Sequence, residues 1–189
     1  MGGCLSSPED RAATRASRNI ERMMGEQNRV ETEKVKLLLL GAGESGKSTI
    51  FKQMRIINKA GYSDSELKQF TYIVHRNVSD SIKVLVEQAN DMELDLDPTN
   101  QDLADQVLLW DSDTLNPEMG EVIAQIWADP GIQRCYERRN EFQLKDNAKP
   151  FLDDVRRLSA LNYVPTTEDA LRARVRTSGV VGKDFEING

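Results

Sequence analysis

The stretch Lys34-Val-Lys-Leu-Leu-Leu-Leu-Gly41-Ala-Gly-Glu-Ser-Gly46-Lys47-Ser48-Thr49 decides how this chain is read. Val35 and Leu37 to Leu40 make an apolar run of buried-strand type. It passes straight into a glycine-rich loop with the spacing G-x-x-x-x-G-K-[ST]. Each residue type there has a physical task. Gly41 and Gly46 allow backbone angles and close approaches that a side chain would block. Successive N–H groups turned inward make a nest for an anion. Lys47 adds a point charge for outer phosphates, and Ser48 offers a hydroxyl to a magnesium ion. A helix expected from about Lys47, with Ile50, Phe51, Met54 and Ile57 on one side, turns its positive end toward the same place. The plainer alternative is a tight strand-to-helix turn that binds nothing. The strand before the loop and the helix after it favour the phosphate reading.

Composition bounds the rest. The 189 residues have room for one large or two small domains, and 39% hydrophobic residues suffice for a core. A net charge of −6 argues against a nucleic-acid partner, which a basic patch or stripe would attract. Two cysteines, Cys4 and Cys135, give neither a disulfide framework nor a metal cluster. No apolar run approaches the roughly 18 residues of a membrane span. The first 30 residues are charged throughout, unlike a signal peptide, so a cytosolic compartment is expected.

The opening Met1-Gly2-Gly3-Cys4-Leu5-Ser6 fits M-G-x-x-x-[ST], the N-myristoylation signal at Gly2. Cys4 stands beside it as a palmitoylation candidate. One myristoyl chain binds a membrane only marginally, and a second makes anchoring durable. The bland alternative is a tail with an incidental cysteine. Ser7, Pro8, Glu9 and Asp10 then read as a helix start. The helix to about residue 33 carries only Ile20, Met23, Met24 and Val30 as a thin apolar stripe. It is either a solvated face or a docking surface for another protein.

After Gly61, Ser63 and Glu66 form a capping box that opens a long helix to about Asn90. Its stripe is Leu67, Phe70, Val74, Val78, Ile82 and Leu85. An acidic connector, Asp91 to Pro98, lacks the glycine and spacing of a calcium loop. Further helices are expected near 100–110, 117–128, 131–142 and 149–161. Trp110 and Trp127 read as core, and His75 as a core or helix-surface residue. Pro165 to Asp169 starts a short helix ending around Ala173. An arginine-rich loop, Arg172-Ala-Arg174-Val-Arg176-Thr177, and a strand over Val180–Ile187 come next. A long helical block between a phosphate loop and a later strand is an unusual layout.

With these motifs in place, the sequence resembles the α subunit of heterotrimeric G proteins. The resemblance rests on Gly41-Ala-Gly-Glu-Ser-Gly-Lys-Ser-Thr49, on Phe51-Lys-Gln-Met-Arg-Ile56, and on Asn162-Tyr-Val-Pro-Thr166 leading into Asp169-Ala-Leu-Arg-Ala-Arg-Val-Arg-Thr177. It implies an α/β P-loop GTPase fold: a partial Ras-like domain over 34–60 and 176–189, an inserted all-α helical domain over 61–175, and a lipidated N-terminal helix over 1–33. It implies that Gly43, Glu44, Ser45, Gly46, Lys47, Ser48 and Thr49 surround the phosphates of GTP or GDP, with Leu171, Arg172, Arg174 and Thr177 on the first switch. Ser48 and Thr177 are then the Mg2+ ligands. Arg174 is the arginine supplied in cis to the transition state, a role for which this family is the standing example in phosphoryl transfer. A guanidinium suits that role because it stabilises spreading phosphoryl charge bidentately. Glu44 is expected to pair with Arg174, and the helical block to act as a lid that slows nucleotide release. The implied partners are a βγ dimer on the N-terminal helix, a G protein-coupled receptor, an effector enzyme, and the cytoplasmic face of the plasma membrane through the lipid anchors.

The family's D-x-x-G-Q, N-K-x-D and T-C-A-T motifs do not occur in these residues. Asp146-Asn147 stands where the family often has an acid and a serine. The chain is therefore expected to be an N-terminal half of such a subunit, with a first strand short of partners and doubtful turnover. Two other readings differ in class. One is an interaction-only protein that binds βγ and membrane. The other is a P-loop kinase of small substrates, which would need neither the lipid signal nor the helical insertion.

Overall fold

One 28-residue helix, α3 (Asp64–Asp91), gathers the core. It starts where the sequence places it: Ser63 accepts the amide of Glu66 through its hydroxyl, and the Glu66 carboxylate accepts the amide of Ser63. Val74, Val78, Ile82, Leu85, Val86 and Ala89 are fully buried along one stripe at helical spacing. The structure is a computed structural model and describes residues 8–42, 45–57, 61–175 and 182.

Shorter helices cover that stripe. They are α4 (Gln101–Leu109), α5 (Pro117–Trp127), α6 (Pro130–Glu137), α7 (Ala148–Asp153), α8 (Val155–Leu158) and α9 (Thr167–Arg172), with 3-10 turns at Pro98–Asn100 and Arg139–Glu141. Their buried faces supply Val107, Met119, Ile123, Ile126, Ile132, Phe151, Leu152 and Leu158. Proline at the first helical position and an acceptor side chain before it start two of them. Asn116 accepts the Met119 amide at 2.8 Å, and Asp129 accepts the Gly131 amide at 2.7 Å. The expected segment at 149–161 is two short helices, because the chain turns out of helical geometry at Asp154 (φ −99°, ψ 8°). Trp127 is core, as expected. Trp110 is half-buried against the core.

Before this block come α1 (Pro8–Glu33) and α2 (Lys47–Ile57). The chain divides into two compact units, Met1–Ser45 and Gly46–Gly189. In the first unit, Ile20, Met23 and Met24 of α1 are exposed. In the second, the end of α2 is fastened to the start of α3. Arg55 donates to the carbonyl of Gly61 at 2.8 Å, pairs with Glu66, and stacks over Tyr62 at 4.5 Å.

The expected strand at 35–40 is corrected: residues 34–41 form no strand, and among the described residues there is none. Val35 is 85% exposed and Leu40 81%. The apolar run has the composition of a buried parallel strand, but a strand exists only as a rung of a hydrogen-bonded ladder, and no described segment supplies the neighbouring rung. The α/β half of the expected fold is therefore not seen in the described residues. The expected strand at 180–187 lies outside them apart from Gly182.

Candidate phosphate site and arginine segment

The second half of the glycine-rich loop opens α2. Gly46 has φ +83°, a left-handed conformation that L side chains rarely adopt, and there is open space where a Cβ would stand. Its carbonyl accepts the amide of Ile50 at 3.0 Å, which closes the first helical turn. Lys47 and Ser48 are half-buried in that turn, and Thr49 is exposed. The leading amides of a helix have no partner within it, so this end attracts an anion. Of the earlier loop residues, Gly41, Ala42 and Ser45 are exposed, and the Ser45 amide lies 3.4 Å from the Ala42 carbonyl. Gly43 and Glu44 lie outside the described residues, as do Gly2, Cys4 and Thr177.

The fit to an anion is good on these grounds. Magnesium takes one or two protein oxygens and otherwise water and substrate phosphate. The Ser48 hydroxyl is an oxygen donor of that type. Among the described residues no group of three His, Cys, Asp or Glu side chains is built to hold a metal.

The arginine segment is placed by α9 and by the backbone contacts just beyond it. Thr166 and Asp169 form a capping box, with Asp169 N to Thr166 Oγ1 at 3.1 Å and Thr166 N to Asp169 Oδ2 at 2.9 Å. Asp169 is buried and also receives both terminal nitrogens of Arg157, each at 2.9 Å, and the hydroxyl of Tyr163 at 3.1 Å. Burial alone would raise its pKa, but the hydrogen bonds from Arg157 and Thr166 hold it down to about 2. Burial, then the Asp169 carboxylate, push the Tyr163 hydroxyl above its ordinary value.

Four residues after Ser48, Lys52 crosses to this segment. Its ammonium donates to the carbonyls of Leu171, at 3.4 Å, and Ala173. Burial pushes that ammonium down to about 8. On α3, Asn77 accepts the amide of Arg174 at 2.7 Å and donates to its carbonyl at 3.1 Å. Asn147, which precedes α7, donates to Asn77 Oδ1 at 2.7 Å and to the carbonyl of Arg172 at 2.8 Å. Leu171 and Arg174 are half-buried, and Arg172 is exposed and paired with Glu168.

Lys52 therefore joins α2, the helix that begins Lys47-Ser48, to the backbone that leads into Arg174. The sequence singles out Ser48 and Arg174 without Lys52 or Asn77. Asn77 leaves a trace, since it is a polar residue beside Val78 on the buried stripe of α3, where an amide needs partners. Lys52 leaves none, because its partners are main-chain carbonyls more than a hundred residues away.

A family model described as G-protein alpha subunit matches residues 14–189.

Proposed function

The chain belongs to the G-protein alpha subunit family, and from that premise we propose that it binds GTP and GDP with Mg2+, hydrolyses GTP, and signals from a membrane surface. The family is one of guanine-nucleotide-binding GTPases in signalling. The observation that supports the finer reading is the Lys52 bridge, which keeps the helix of the phosphate loop and the arginine segment in one hydrogen-bonded arrangement.

In this reading the loop from Gly43 to Thr49 wraps the phosphates, with the leading amides of α2 supplying donors and Lys47 a fixed positive charge. The Ser48 hydroxyl and Thr177 would hold magnesium, which would supply positive charge to offset that of the phosphates. Leu171 and Arg172 line the nucleotide. Arg174 presents a planar guanidinium to the charge that develops as the terminal phosphoryl group leaves. Glu44 steadies that arginine. The helices from α3 to α9 act as a lid over the nucleotide.

The lipid anchors belong to the same proposal. Myristate at Gly2 and palmitate at Cys4 would hold the chain at the cytoplasmic face of the plasma membrane. Ile20, Met23 and Met24, spaced three and four apart and exposed on α1, suit a βγ partner that lays a surface along one helix face. A receptor and an effector enzyme complete the circuit.

The test uses the whole 189-residue chain. Fluorescent GTP titrations with and without magnesium should show magnesium-dependent binding. Single-turnover hydrolysis should fall by about 10³-fold or more in Arg174→Ala. Equal rates for the two chains would overturn the hydrolytic role and favour a protein that only binds partners.

A further inference from the structure

Beyond the site residues named so far, we propose that Asn77, steadied by Asn147, is a positioning residue for Arg174: it fixes the backbone from which the guanidinium is presented. This rests on the hydrolytic reading above for its functional half, and on hydrogen bonds alone for its structural half.

The segment Leu171–Arg174 is leaving helix α9 and becoming extended, with Ala173 at φ −57° and ψ 124°. Each of its four carbonyls accepts from a side chain. Those of Leu171 and Ala173 take the Lys52 ammonium. Those of Arg172 and Arg174 take the amide groups of Asn147 and Asn77, at 2.8 Å and 3.1 Å. The segment is thus gripped by α2 through Lys52 and by α3 with the start of α7 through the two asparagines.

Asn77 does more than add one bond. Its carboxamide takes both the N–H and the C=O of a single residue, as a neighbouring strand would. That pairing sets register: sliding the segment by one residue, or turning Arg174 over, breaks both bonds together. Asn77 is only 3% exposed, so water does not compete for these groups. Its Oδ1 also takes Asn147 Nδ2 at 2.7 Å, which locks the amide in the orientation that faces Arg174. A guanidinium on a long, many-jointed side chain is delivered reproducibly only if its Cα is held. Displacement on the scale of an ångström is enough to erase a large part of such a group's effect.

The test combines amide exchange with kinetics on the full chain. In the nucleotide-free protein, NMR-detected exchange at the Arg174 amide should be slow in the wild type and at least tenfold faster in Asn77→Ala. The core amides of Ile123 and Ile126 should keep their protection and so report an intact fold. In single-turnover GTP hydrolysis, Asn77→Ala should lose about 10- to 100-fold in rate with nucleotide affinity changed less than twofold. It should lose nothing further in an Arg174→Ala background, because residues that act as one unit are not additive. Asn77→Asp keeps the acceptor for the Arg174 amide and should fall between the two. If Asn77→Ala unfolds, Asn147→Ser removes the supporting amide more gently and should speed Arg174 exchange in the same direction. An Arg174 amide that exchanges at the unprotected rate in the wild type, or losses that add across the double mutant, would overturn the proposal. If Arg174→Ala alone leaves hydrolysis unchanged, the hydrolytic reading fails, and the exchange measurement still decides whether the clamp exists.

Discussion

His75 Nε2 donates to the carbonyl oxygen of Leu158 at 2.7 Å while its Nδ1 accepts the amide of Leu115 at 3.1 Å. The backbone donor fixes the tautomer: Nδ1 must be bare, so the proton sits on Nε2 and the ring is neutral. Tyr163 stacks on it at 5.6 Å. A second proton would set an N–H against the Leu115 N–H inside the core. Burial lowers the His75 pKa from its ordinary value, and the Leu158 carbonyl only partly opposes this.

Stability should therefore fall with acid in a window that belongs to this ring. Its folded pKa is depressed, so above about pH 6.5 neither state gains a proton there. As pH drops through that value the unfolded chain takes up a proton that the folded chain resists. Urea midpoints should decline from pH 7 to pH 5, with a slope of at most about 1.4 kcal/mol per pH unit, the limit for one proton. His75 is the only histidine. His75→Gln should flatten this window, and an unchanged slope would refute the assignment.

Asp169 titrates lower. Its carboxylate is held down to about 2, so its contribution is complete above about pH 4 and is lost as pH falls through 3.8 toward 2. Asp169→Ala should cost about 2–4 kcal/mol at neutral pH, at or just below the range for breaking an enclosed ion pair, because Arg157 is partly in water. Asp169→Asn should remove this carboxylate's share of the acid dependence between pH 4 and pH 2, leaving that of Glu66, which Arg55 and Ser63 also hold down to about 2. Denaturant melts followed by circular dichroism check both.

Two glycines should respond differently to a methyl group. A Cβ at Gly120 would overlap the Ser159 hydroxyl and lie 2.5 Å from its Cβ, so Gly120→Ala should cost about 1–3 kcal/mol. Ser159→Gly should restore most of that loss, since the obstacle is a side chain. At Gly131 the Cβ would stand 2.5 Å from the main-chain oxygen of Asp95, which no single substitution removes. Gly131→Ala should be the more damaging of the two. Thermal melts of the two alanine variants, of Ser159→Gly and of the Gly120→Ala, Ser159→Gly pair decide it.

Lys52 should lose its proton near pH 8, well below the ordinary 10.5, because of its burial. The folded chain sheds that proton first, so stability linked to this group rises as pH climbs from about 8 to about 10.5. Competitive acetylation read by mass spectrometry should give Lys52 a midpoint near 8. Lys52→Met should abolish the linked rise.

The helical half of the fold is legible because its signals are local. Ser63 with Glu66 marks a helix start within four residues, and the stripe from Val74 to Leu85 marks a buried face within four turns. The run Val35 to Leu40 shows the limit of such reading. Its composition states a preference, but pairing depends on other segments. The loop motif identifies Lys47 and Ser48, and the family resemblance carries Arg174. Neither discloses how the arginine is held, since Asn77 and Asn147 meet the segment across 97 and 25 positions. Asn147 stands out in the sequence only as a departure from the family's usual serine.

The central place of α3 also orders events during synthesis. Its stripe emerges from the ribosome early, but the surfaces that cover it arrive in sequence, ending with α9 and Ala173. A nascent chain must carry a greasy, half-covered rod until its last helices appear. That exposure is the kind of interval in which chaperones engage a growing chain.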